Sequence, residues 1–360
     1  MADRVAVRAD AVPDVGAGHV VRILGLVDEL SLRGVDVVLT GRLAIPWVQD
    51  LVASRAVPVV EAAPDAASYL EWCHARGVGA VVLDGYDLPR DLGATLLAGG
   101  LRVLSLRDGS FGAEQACDVA LDQNLGVERA RLPHEGTLLA GIRYTLFRDE
   151  VLHATRTRWD PTREGTRILM FFGGSDPFGA SEVLARLAVD AVDPLDLRVV
   201  SPDPAAGSRL RALPRGHRQS VEVLTPRPDL LSMARGADVV VSASGGSVWE
   251  LMLHGVPFAC VQVADNQQPG YRALLDRELC VGLGSLDSLR QVPDVRTRAR
   301  RALAGLAADP GLRATLAAAG RGLLDGRGRA RVVDELLPWT REPGSAESPH
   351  PGAAVLTGDS

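Results

Sequence analysis

Val5-Ala6-Val7-Arg8-Ala9-Asp10, followed by Val15-Gly16-Ala17-Gly18-His19-Val20-Val21-Arg22, reads as a short apolar strand, a glycine turn and the start of a helix. Glycines at such a turn let the backbone approach a ligand closely and leave the helix N-terminus facing a negative or polar group. It is not a dinucleotide fingerprint. Gly16-Ala17-Gly18-His19 lacks the third glycine, and no acidic residue ends the second strand at Leu39-Thr40.

The same alternation of short β-branched runs with helical spacing continues outward from this unit. Further strands are expected at Val35 to Leu39, Pro58 to Val60, Ala80 to Leu83, Arg102 to Leu106 and Val119 to Leu121. The pattern restarts at Arg167 to Phe172 and runs through Leu195 to Val200, Val221 to Leu224, Asp238 to Val241 and Pro257 to Val261. This predicts an α/β protein with two Rossmann-like, doubly wound domains facing a cleft, over residues 1–155 and 162–326. Trp159-Asp160-Pro161 and Glu164-Gly165 mark the break. Helical spacing from Asp294 to Leu324 closes the second domain. A terminal helix within 327–339 is left free to pack on the first, and residues 340–360 are expected to form a disordered tail.

The chain has 360 residues, enough for two cores, and all 39 basic residues are arginine. Without lysine there is no Schiff-base chemistry and no Walker-type phosphate loop. A net charge of −6 disfavours nucleic acid, and no apolar run approaches the ~20 residues of a membrane span. A cytoplasmic protein, monomeric or a weak homodimer, is expected. Cys73, Cys117, Cys260 and Cys280 are too scattered for a zinc site, so no metal and no cofactor is implied.

Four motifs carry the candidate chemistry. In the first, His19 stands at the opening turn of a helix above the carboxyl end of a sheet, as a base or as a structural residue. Gly16, Gly18 and Asp10 flank it. The second, Phe171-Phe172-Gly173-Gly174-Ser175-Asp176-Pro177, offers backbone N–H groups and a hydroxyl to a phosphate, or a tight turn in which Ser175 or Asp176 caps the next helix. In the third, Ser244-Gly245-Gly246-Ser247-Val248-Trp249-Glu250, a helix N-terminus can hold a diphosphate and Glu250 can accept from ribose hydroxyls. The alternative is an ordinary capped helix. The fourth, Asp265-Asn266-Gln267-Gln268, presents side-chain amides to a sugar or a water, or forms a plain loop.

These residues in this order resemble the PseG-like nucleotide-sugar hydrolases of the pseudaminic-acid pathway and, more remotely, the MurG-like glycosyltransferases of peptidoglycan lipid synthesis. The likeness runs from Arg8 to Asp276 and includes Asp84-Gly85-Tyr86, Asp122-Gln123-Asn124 and Gly141 to Arg148. It implies the GT-B architecture and a nucleotide-diphosphate sugar as partner. In that family the counterpart of His19 activates water, those of Tyr86 and Asn266 line the sugar, and the nucleotide sits on the second domain, here Gly245, Gly246, Ser247 and Glu250. Asn266-Gln267 and Gly174 to Asp176 complete the carried-over set. Where the family shows paired acidic residues after its fifth strand, this chain has Arg107-Asp108-Gly109, which bears on the sugar's substituents. The implied activity is inverting hydrolysis of a UDP-linked deoxy-amino sugar. The alternatives are glycosyl transfer to an alcohol on the same scaffold, or a nucleotide-sugar binding protein without catalysis.

Overall fold

The computed structural model describes residues 4–109, 112–127, 136–156, 159, 165–174, 176–227, 229–337 and 355–357. The chain divides into two compact units, Met1–Asp149 with Gly326–Ser360, and Glu150–Asp325.

In the first unit the strands are β1 (Arg4–Ala9), β2 (Asp36–Thr40), β3 (Val59–Val60), β4 (Val78–Asp84), β5 (Arg102–Leu106), β6 (Val119–Asp122) and β7 (Thr137–Ala140). They form a parallel sheet in the order β7-β6-β5-β4-β1-β2-β3. Chain growth reverses at β1: β2 and β3 lie on one side, β4 on the other. Each side of such a sheet is covered, so its strands are nearly all apolar. One face packs on the first helix, Gly18–Leu32, through Val20, Ile23, Leu24 and Val27, all essentially buried. The other packs on Tyr69, Cys73, Leu92 and Leu96.

The helix Gly18–Leu32 comes unusually close to its neighbour at Gly25. A Cβ there would lie 2.9 Å from the Leu146 carbonyl carbon and 3.0 Å from its oxygen. Alanine is the better helix former by about 0.5–1 kcal/mol. Even so, Gly25→Ala is expected to destabilise the first unit by about 1–3 kcal/mol, because backbone has to move. A urea titration will show this as a lower midpoint; a raised midpoint would mean that the 146–147 segment yields freely.

In the second unit β8 (Thr166–Phe171), β9 (Leu195–Val200), β10 (Gln219–Leu224), β11 (Val239–Ala243), β12 (Phe258–Gln262) and β13 (Val281–Ser285) give a parallel sheet in the order β10-β9-β8-β11-β12-β13. Its reversal falls between β8 and β11. Both sheets are therefore doubly wound, and each has a switch point at which the carboxyl-end loops of two neighbouring strands diverge.

Three local features add detail to these expectations. The helical run after Asp294 is two helices, Pro293–Ala308 and Pro310–Arg321. Asp309 ends the first and caps the second by accepting from Gly311 and Leu312 N–H, with Pro310 at the first helical position. The helix Gly328–Leu336 belongs to the first unit, with Val332, Val333 and Leu336 fully buried in its core. The segment after Trp339, expected to lack regular structure, carries one short strand, β14 (Val355–Thr357), parallel to β7. An open sheet edge offers unpaired backbone groups, and a β-branched segment can satisfy them. Among the described residues no helix is long and apolar enough to cross a membrane.

Candidate active site

The switch point of the first unit lies between β1 and β4, whose last residues Ala9 and Asp84 are register partners. The loop after β1 turns at Gly16, whose φ of 86° is left-handed, with its N–H donating to Val12 O at 2.7 Å. Helix Gly18–Leu32 then starts with no side-chain cap, and a Cβ on Gly16 or Gly18 would meet nothing within 4 Å. The helix entrance is open space.

His19, on the first turn, is 6% exposed and directs Nδ1 to Asp84 Oδ1 at 2.6 Å. Arg22, one turn along the same helix face, donates through Nε and Nη2 to Asp84 Oδ2 and Oδ1, both at 2.6 Å, and through Nη1 to Asp108 at 2.8 and 3.0 Å. Asp108 also accepts from the Tyr86 hydroxyl and, at 2.9 Å, from Asn124 Nδ2. The same Asn124 amide reaches Asp122 at 2.9 Å. The Tyr86 ring stands edge-on to the imidazole, centroids 4.5 Å apart.

Charge fixes how this cluster works. Burial alone would push the Asp84 carboxyl up, but Arg22 and His19 outweigh it and hold it at about 2. Burial likewise opposes ionisation of Asp108; Arg22, Tyr86 and Asn124 overcome it, and its carboxyl lies below the usual range. Asp122 goes the other way, raised by burial with Asp108 nearby. The Tyr86 phenol is raised by burial and then by Asp108, so it remains a donor. An ionised Asp84 can only accept, so in the neutral His19 ring the proton resides on Nδ1. Nε2 then carries the lone pair. A carboxylate that orients an imidazole and stabilises its cation is the support required by a general base.

Asp10 does not join this cluster. Its carboxylate accepts from Arg42 N at 2.7 Å and pairs with Arg8 at 2.8 Å, beside a cavity of about 360 Å³ that Glu61, Asp65, Tyr69 and Leu92 also line.

In the second unit the motifs sit on neighbouring strands. Phe171 pairs with Ser242, and Ala243 with Val261, so the loops after β8, β11 and β12 emerge together at the carboxyl end. The helix Ser247–Leu253 begins at Gly246 without a side-chain cap. Val248 and Trp249 N–H bond back to Gly245 and Gly246 O. Among the described residues the N–H groups of Gly245, Gly246 and Ser247 take no backbone acceptor, and a Cβ on Gly246 would meet nothing within 4 Å. Gln267 ties the third and fourth motifs together: its Oε1 accepts from Ser244 Oγ at 3.3 Å and Val263 N at 3.2 Å. Asn266 beside it is exposed, and Glu250 is half-buried on the first helical turn.

Asp176, a candidate ligand-binding residue, takes the capping role that was its alternative reading. Both its oxygens are taken, by Ala180 N at 2.9 Å and Ser181 N at 3.0 Å, because the first-turn N–H groups of the helix Ala180–Ala191 need acceptors. Gly174 lies in the turn before it, and Ser175 falls outside the described residues. The motif reading did not single out Arg22, and Asp84, Asp108 and Asn124 entered only through the resemblance. Arg22 was legible as the i+3 neighbour of His19, and Asp84 as an acid closing an apolar strand.

The sequence matches no protein-family model and no curated protein. Solved structures do resemble the chain. MurG of Acinetobacter baumannii superposes with a TM-score of 0.69 at 15% identity, over 92% of this chain and 98% of its own. The S. aureus MnaA–UDP co-structure gives 0.64 at 11%, over 92% and 95%. The spinosyn rhamnosyltransferase SpnG with thymidine diphosphate gives 0.61 at 14%, over 92% and 100%. The chain has the GT-B fold. At these identities the likeness reaches the fold and no further.

Proposed function

We propose that this protein hydrolyses a nucleoside-diphosphate deoxy-amino sugar, with UDP as the carrier, in the manner of the PseG-like enzymes its motifs resemble. The observation that carries the reading is the His19–Asp84 pair, which leaves Nε2 of a buried, oriented imidazole as a base. In the reaction Nε2 takes a proton from water as the water oxygen bonds to the anomeric carbon. The bond from that carbon to the diphosphate breaks, its electron pair leaving with the nucleotide, and attack from the far side inverts the centre. Asp84 stabilises the imidazolium that results. A diphosphate is already a good leaving group, so the second carboxyl of ordinary glycosidases is not required. Its charge is met by the Gly245, Gly246 and Ser247 donors and the positive end of their helix, in a reaction needing no metal cofactor. Two compared structures hold UDP and thymidine diphosphate respectively, in keeping with such a ligand.

Glycosyl transfer is the second reading. The compared SpnG is a rhamnosyltransferase, and the cavity of about 360 Å³ at the carboxyl ends of β1 and β2 has room for an acceptor. A phosphorus and proton NMR time course with UDP-linked deoxy-amino sugars, run without acceptor, separates the two. Release of free sugar and UDP supports hydrolysis, whereas sugars that stay intact until an alcohol is added identify a transferase.

The diphosphate assignment has its own test. At Gly246, φ is −55° and the space beside it is open, so Gly246→Ala should leave the melting temperature unchanged. Its methyl group projects where the phosphate would lie, and UDP affinity should fall about tenfold by calorimetry. Equal affinity in the two proteins would put the diphosphate elsewhere.

A further inference from the structure

The second unit has another cavity, of about 280 Å³, at the opposite end of its sheet. Ala237, ahead of β11, and Gly255, Val256 and Pro257, ahead of β12, form its floor, and Arg156, Arg235, Arg321 and His254 surround it. It has no acidic lining residue. Elsewhere arginines meet carboxylates directly, Arg55 with Asp28, Arg167 with Asp238 and Arg209 with Glu182. Among the described residues Arg156, Arg235 and Arg321 form no ion pair with a carboxylate.

Their hydrogen bonds are few. Arg235 donates to Ala154 O and Arg321 to His254 O at 3.2 Å, while His254 Nε2 donates to Val151 O at 2.7 Å. A guanidinium has five N–H donors, so most of this set remains free to meet a ligand. Arg321 packs against Gly255, where a Cβ would fall 2.3 Å from Nη2 and φ is 59°, a left-handed value that favours glycine. The charges are felt locally. The His254 imidazole is held below its ordinary value by burial, with Arg235 and Arg321 adding to it, against the bond to Val151 O and the pull of Glu250, which does not line the cavity.

We propose that Arg156, Arg235 and Arg321 form a binding site for a small multivalent phosphate, such as inorganic pyrophosphate or a phosphate monoester, on the amino-end face of the second unit. Guanidinium forks match phosphate oxygens in pairs, and the volume suits one or two phosphoryl groups. The site is separate from the Gly245–Ser247 turn at the carboxyl end and does not depend on the reaction proposed for that turn. A ligand here contacts the loops that lead into β11 and β12, the strands that carry the turn and Gln267, so occupancy can bias the nucleotide site without touching it.

The test is calorimetric titration of the full chain with inorganic phosphate and with pyrophosphate at constant ionic strength, on wild type, Arg156→Gln, Arg156→Gln/Arg321→Gln and Gly246→Ala. Arg156 and Arg321 are exposed, so their loss spares the core. Expected are saturable pyrophosphate binding by wild type and Gly246→Ala, a severalfold loss in the single arginine variant, and a loss of about tenfold or more in the double variant. Binding that is unchanged in the double variant, or abolished by Gly246→Ala, assigns the anion to the other end of the sheet and overturns the proposal. So does the absence of saturable binding to wild type up to about 10 mM, the weak limit for a built site.

Discussion

His19→Ala should lower kcat by about 10²- to 10⁴-fold while leaving the affinity for UDP within about twofold, since a general base contributes to the transition state and little to ground-state binding. The variant should fold. Asp84 retains both bonds from Arg22. Steady-state turnover of the nucleotide sugar, with nucleotide binding measured in parallel, gives both quantities. Added imidazole should restore part of the rate by filling the vacated position above Asp84. A variant that retains wild-type kcat would remove the base from the mechanism and leave His19 as a packing residue.

The second large effect is expected at Asp84→Asn, which keeps shape and removes charge. The amide can satisfy either His19 or Arg22 but no longer accepts from both through two oxygens. It favours the imidazole tautomer with its proton on Nε2, the nitrogen required as base. A loss of about 10³-fold in kcat is expected on the pattern of such orienting carboxylates. Removing the charge also deprives buried Arg22 of one partner. Asp108 still pairs with it, so the stability loss should be about 2–3 kcal/mol, below that of a wholly orphaned charge. Acid titration provides an independent check. The Asp84 carboxyl is at about 2 in the folded protein against 3.8 ordinarily, so its stabilisation is complete above the higher value and is lost as pH falls through the lower. Wild type should therefore lose about 2 kcal/mol more than the variant between pH about 5 and about 2. Parallel acid profiles would show that Asp84 is not held by its partners.

The alternation of Val5-Ala6-Val7 or Val81-Val82-Leu83 with helical spacing was enough to read two doubly wound sheets, because buried parallel strands are nearly all apolar. Thr137–Ala140 and Val281–Ser285 escaped. The first is short, and the second, Val-Gly-Leu-Gly-Ser, carries glycines that dilute its strand character. The site was legible in part for a related reason. His19 and Gly245-Gly246-Ser247 announce themselves through local turns, but that Asp84 faces His19 follows from β4 lying beside β1, and strand order is not written in local periodicity. Asp176 illustrates the converse. An Asp-Pro after glycines fits an anion site and a helix cap equally well, and the capping bonds to Ala180 and Ser181 N–H appear only once the fold places those groups.

The first unit is interrupted: the chain leaves it at Asp149 and returns at Gly326. Val332, Val333 and Leu336 complete its core, and Arg329 ties the closing helix to Asp149 at 2.6 Å and Glu29 at 3.2 Å. On the ribosome, the second unit is therefore the earlier to have all its residues available. The first must wait, with part of the surface of Gly18–Leu32 uncovered, until residues 328–336 have been made. A nonsense codon between residues 322 and 327 spares every candidate site residue, yet it removes the helix Gly328–Leu336 and yields a chain with that apolar surface uncovered, a substrate for chaperones and proteases.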